Sequence, residues 1–195
     1  MNMKKIIYIL LTITLFTSCL YEAMYFLTDE DLEWMAPYEK GDTILFQSSN
    51  GMDTMTIDEI TLYNDDNPWR ENEGTSTYMG NSAFKYTMRH HNESFDGDFC
   101  VIKEDSMRLS LYLNLRRRRR IIYDEKELQL CCRNIEGEIY DDIIEVDDSN
   151  SELYTREELN TEYFIWSKSK GLLQYKYLDG EVYTFYKKIA YKRKD

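Results

Sequence analysis

Between residues 107 and 115 apolar and polar side chains alternate without a break. Met107, Leu109, Leu111, Leu113 and Leu115 interleave with Arg108, Ser110, Tyr112 and Asn114. Successive side chains of a strand point to opposite faces, so this run predicts a half-buried β-strand. Comparable runs fall at 42–47, 53–63, 83–90, 98–103, 127–133, 138–146, 161–167, 172–178 and 181–188. Asn50-Gly51, Asp96-Gly97 and Asp179-Gly180 read as hairpin dipeptides, because a type I′ turn needs positive φ at both central residues. Gly137 and Gly171 mark looser turns. Short turns between many strands predict a mainly β fold: an antiparallel meander forming a barrel-like or sandwich domain.

Two stretches break the pattern. Thr28 followed by Asp29, Glu30 and Asp31 predicts an N-cap with an acidic first turn, opening one short N-terminal helix to about Met35. Pro37 ends it. Residues 64–82 are polar and turn-rich and read as a long loop, with Trp69 the tryptophan expected to be exposed.

The N-terminus carries Lys4 and Lys5, then an eleven-residue apolar run from Ile6 to Phe16, then Thr17, Ser18 and Cys19. That run is about half the length a spanning helix needs. It reads as a secretory signal. Leu15-Phe16-Thr17-Ser18-Cys19 resembles a bacterial lipobox, with Phe16 where leucine is usual. The resemblance implies cleavage before Cys19, a diacylglycerol thioether on its sulfur and acylation of its amine. Leu20 follows where aspartate would signal inner-membrane retention, which favours the outer membrane. The expected organisation is a signal peptide at 1–18, a lipidated cysteine, tether and short helix at 19–40, and a single antiparallel β domain at 41–195.

Trp34, Pro37-Tyr38, Gly41-Asp42-Thr43, Asn50-Gly51 and Asp53-Thr54 resemble the opening of small uncharacterised Bacteroidota-type lipoproteins. Gly171-Leu172-Leu173-Gln174-Tyr175, followed by Asp179-Gly180-Glu181, resembles their closing hairpin. These motifs are structural. They imply a β-rich envelope domain, lipid-anchored at the outer membrane and facing the periplasm or the surface, and imply no activity.

Composition narrows the function classes. Hydrophobic residues are 43% and charged residues 31%, which excludes a disordered tail and a polytopic membrane protein. With 24 basic and 36 acidic side chains the net charge is −12, and loss of residues 1–18 takes it to −14. A nucleic-acid partner needs a dense cationic surface, so none is expected. Like charge would hold the domain off an anionic membrane.

Candidate chemistry is sparse. The only histidines, His90 and His91, are adjacent. On a strand they point to opposite faces, and only a turn at the strand end would bring them to one metal. No metal ligand is therefore assigned. Beyond Cys19 lie Cys100, Cys131 and Cys132. Cys132 is in phase with Leu128 and Leu130 and should face the core, while Cys131 should face outward. An oxidising compartment would permit Cys100 to pair with either. Arg116, Arg117, Arg118, Arg119 and Arg120 should form a loop or exposed strand end. That run is a solvated cationic tip or an anion or partner contact, since guanidinium binds phosphate and carboxylate bidentately. The aromatics are core, or a stacking platform for sugars. Asp147 to Glu152 offers calcium-type oxygens without EF-hand spacing. No Gly-rich phosphate loop, HExxH or GxSxG motif occurs, so no cofactor or catalytic residue is assigned. The expectation is a non-enzymatic envelope interaction or structural module meeting a protein or glycan. A β-barrel holding a small lipid or glycan is the alternative.

Overall fold

The computed structural model describes residues 23–63, 77–103, 108–115, 118–124, 130–147, 152–153 and 161–192. Cys19, Trp69, Arg116 and Arg117 lie outside them. Fourteen strands and one helix follow in chain order: β1 (Ala23–Tyr25), α1 (Asp29–Leu32), β2 (Thr43–Gln47), β3 (Met52–Tyr63), β4 (Thr77–Met79), β5 (Asn81–His90), β6 (Glu93–Lys103), β7 (Arg108–Asn114), β8 (Arg118–Asp124), β9 (Cys131–Ile135), β10 (Glu138–Val146), β11 (Glu152–Leu153), β12 (Thr161–Ser167), β13 (Gly171–Tyr177) and β14 (Val182–Ile189). β1 and β4 pair in parallel, and the other twelve form one antiparallel sheet in the order β11-β8-β7-β6-β5-β3-β2-β14-β13-β12-β10-β9. The mainly β antiparallel expectation holds. The sheet is not closed, because β11 and β9 are unpaired edges among the described residues. No helix there is long and apolar enough to cross a membrane.

The sheet curls over on itself. β6 and β12 are six positions apart in the strand order. In a flat sheet that is about 29 Å at ~4.8 Å per strand. Yet Phe99 of β6 and Trp166 of β12 stack with centroids 4.1 Å apart and planes within 3°. Alternation along β5 and β6 supplies one apolar face, and β12, β13 and β14 supply the other. Phe84, Tyr86, Phe99, Trp166, Tyr175 and Tyr183 are all almost fully buried between them. Adjacent Ile143 and Ile144 point to opposite faces, so Ile144 joins this core while Ile143 joins a second cluster with Ile135, Ile165 and Leu173.

The N-terminal segment packs into the curl. Thr28 caps α1 as expected: its hydroxyl accepts from Asp31 N–H, and the Asp31 carboxylate accepts from Thr28 N–H. The helix is shorter than expected, ending at Leu32. Asp31 also pairs with Lys103 at 3.3 Å, both side chains 7% exposed, tying α1 to β6. Beyond it Trp34 and Tyr38 are buried, and Tyr38 packs edge-on against Phe84 and Trp166. Its hydroxyl accepts from Leu172 N–H at 2.8 Å. A Cβ on Gly171 would stand 2.3 Å from that hydroxyl oxygen, and Gly171 has φ +81°. Close approach and left-handed backbone both require glycine there.

Several turn expectations are corrected. Asp96-Gly97 lies within β6, not at a turn. Gly97 serves close packing, since a Cβ would meet the Tyr86 ring at 2.3 Å. The actual turn is His91-Asn92, with His90 and Glu93 paired across it. Gly137 belongs to a tight turn: Glu136 and Gly137 have φ of 51° and 92°, the type I′ signature. At the last hairpin only Gly180 has positive φ, and Tyr177 N–H donates to Glu181 O around a three-residue loop. The 64–82 loop is interrupted by β4 and the start of β5.

Candidate functional site

Three turns meet at one end of the curled sheet: Ser48–Gly51 between β2 and β3, His91-Asn92 between β5 and β6, and Leu178–Gly180 between β13 and β14. Ser48 organises the first. Its hydroxyl oxygen accepts from the N–H groups of Asn50 and Gly51. The same hydroxyl donates to Glu181 Oε1 at 2.7 Å, joining the first turn to the third.

Beneath them lies Asp53 on β3, 0% exposed. It sits in phase with Met55 and Ile57, on the strand's buried face. The Tyr175 hydroxyl donates to its Oδ2 at 2.6 Å. His90, at the end of β5, places Nδ1 2.9 Å from both carboxylate oxygens. An ionised carboxylate only accepts, so His90 Nδ1 is the donor in these contacts. Burial pushes the Asp53 carboxyl above its ordinary range, and the Tyr175 hydroxyl and His90 draw it part of the way back. The surround is aromatic: His90 lies 4.7 Å from Tyr177 and 5.5 Å from Tyr183, and Tyr175 stacks on Tyr183 at 5.3 Å. Burial also drives the Tyr183 hydroxyl well above its ordinary value, and the charges of Asp53 and Glu181 add to that.

The two histidines would diverge along a strand, but the turn at the strand end, the exception allowed from sequence, brings them together. His91 occupies the turn with φ 49°, so its ring swings back to a centroid distance of 4.2 Å from His90. His90 itself is buried. His91 Nε2 lies 3.6 Å from Glu181 Oε2. Burial would raise the Glu181 carboxyl, but the hydroxyls of Ser48 and Tyr183 and the two nearby histidines hold it below its ordinary value. Ligand atoms of His90, His91 and Glu181 all lie within 4.8 Å of one another.

An open cleft of about 920 Å³ adjoins this group, lined by Ser48, Asn50, Asp179 and Glu181, with Glu136 from the β9–β10 turn. Its acidic rim favours cations. Other concave regions also open at the surface, one around Gly41 and Tyr191 and one beside Asp96 and Asp98.

The residues singled out from sequence fall elsewhere. Arg118, Arg119 and Arg120 open β8, the strand-end alternative of the expectation rather than the loop, and there Arg119 pairs with Leu113 and Leu153, and Arg120 with Tyr112 and Glu152. Their side chains lie outside the described set. Cys132 faces solvent, as Cys131 does, contrary to the core phase expected for it. Among the described residues no disulfide joins Cys100, Cys131 and Cys132 to one another. Trp34 and Trp166 are core. Sequence reasoning missed Asp53 and Glu181. The signal for Asp53 was present, a carboxylate in the apolar phase of β3. Comparison with protein-family models, curated proteins and solved structures yields no match.

Proposed function

We propose that this chain is a lipid-anchored, non-enzymatic domain of the bacterial envelope. Cys19 holds it at the outer membrane, and its turn end meets an envelope protein or glycan. The observation that carries the contact half is the packing. The space between the curled halves is occupied by Trp166, Phe99, Phe84 and the buried tyrosines, and the largest acidic-rimmed opening described above faces outward at the turns. Such a core leaves recognition to the surface. A lipid or glycan held inside a barrel would need interior volume that these aromatics fill. The anchoring half is supported by the lipobox-like sequence before Cys19.

Cys19→Ala should move the protein from the membrane pellet to the soluble fraction after a high-salt wash; retention in the pellet would overturn the anchor. A photo-crosslinking side chain at Asn50 or Asp179 should give one discrete adduct in intact envelopes, and the same group at Glu59 should give none. Equal labelling from all three positions would overturn the contact surface.

A further inference from the structure

We propose that His90, His91 and Glu181 form a binding site for a divalent transition-metal ion, zinc above all, with Asp53 as the positioning carboxylate behind His90. The donor set is two imidazoles and one carboxylate, which suits borderline metals. Calcium and magnesium take oxygen ligands and are disfavoured by the histidines. Ligands at ~2.0–2.2 Å from a tetrahedral ion stand about 3.4 Å apart. His91 Nε2 and Glu181 Oε2 are already at 3.6 Å. The full set lies within 4.8 Å, and the half-exposed His91 side chain has room to adjust toward the other two.

The surroundings are arranged as around a metal. A carboxylate on the far nitrogen of a ligating imidazole fixes its tautomer and orientation, and Asp53 holds His90 Nδ1 at 2.9 Å. Asp53 is otherwise a costly charge in an aromatic nest. The oxygen of Glu181 turned away from His91 is held by Ser48, which leaves Oε2 toward the histidines. Glu136 and Asp179 on the cleft rim add negative potential. Three protein ligands leave a fourth position for water or a ligand from the cleft. This inference does not depend on the membrane anchor.

The test is zinc sulfate titration of the chelator-stripped full chain, by equilibrium dialysis and by thermal unfolding. One zinc per chain is expected, with a rise in Tm. His91→Ala and Glu181→Gln should each weaken binding at least 100-fold and abolish the Tm rise, with near-UV circular dichroism unchanged. Asp53→Asn should weaken it roughly 10–100-fold while stoichiometry stays at one. Cobalt in place of zinc should give a visible spectrum without a thiolate charge-transfer band, and Cys131→Ser/Cys132→Ser should bind as wild type. The chain has only two histidines, both here, so imidazole ligation can arise nowhere else. Binding below one equivalent, binding indifferent to His91→Ala and Glu181→Gln, or binding that follows the cysteines would each overturn the site.

Discussion

The curl of the sheet predicts an energetic coupling between two residues that a flat sheet would keep apart. Phe99 and Trp166 are 1% and 0% exposed and stack across the core. Truncating such a ring to alanine costs about 3–5 kcal/mol. Leucine keeps part of the volume, so Phe99→Leu and Trp166→Leu should each cost about 2–3 kcal/mol. For Trp166 the loss is tempered, because its buried indole N–H has no hydrogen-bond partner and leucine removes that orphan donor. The double variant should be less destabilised than the sum, by the ~0.5–1.5 kcal/mol that an aromatic pair adds beyond its buried area. Ile165 provides the control. It is next to Trp166 in sequence but packs in the second cluster on the other face of the sheet. Phe99→Leu with Ile165→Val should therefore be additive within about 0.5 kcal/mol. Urea unfolding followed by far-UV circular dichroism measures all five variants by one probe. Additivity for Phe99 with Trp166, or equal coupling in both cycles, would refute the curled arrangement.

Other consequences follow from particular contacts. Tyr38→Phe leaves the buried Leu172 N–H without its acceptor and should cost about 1–3 kcal/mol in urea unfolding. Gly171→Ala should cost more, on the order of 2–4 kcal/mol, because it combines left-handed backbone with a Cβ thrust at the Tyr38 hydroxyl; a neutral result would contradict both the positive φ and the close approach. Asp42 is buried, which raises its carboxyl, but the N–H groups of Glu39 and Tyr191 and the Lys188 ammonium outweigh this and hold it below its ordinary value. A depressed folded pKa contributes stability that is present above about pH 4 and lost as pH falls through the folded value. Asp42→Asn should therefore be less stable than wild type at pH 7, with the difference shrinking below pH 4 in acid titrations of Tm. A difference that grew on acidification would contradict that assignment.

The strands were legible because one face of each is buried, and a period of two survives wherever that holds. The leucines of β7 and the alternation in β5 are examples. Thr28 was legible because a capping box is local. What failed was set by distant residues. Asp96-Gly97 carries a turn dipeptide, yet Gly97 is there to admit the Tyr86 ring, which no local pattern records. Cys132 follows the core phase of Leu128 and Leu130 but lies in an edge strand, and both it and Cys131 are exposed. The site depended on a turn one residue beyond His90. Adjacent histidines look divergent until His91 takes a positive φ, and Glu181 reaches them only because the last hairpin lies across the curl.

The intact mass of the mature protein extracted from membranes tests the functional account most directly. The account predicts a chain beginning at Cys19 and carrying the added mass of a diacylglycerol thioether and an N-terminal acyl group. A chain beginning at Met1, or one beginning at or after Cys19 without added lipid mass, would contradict it.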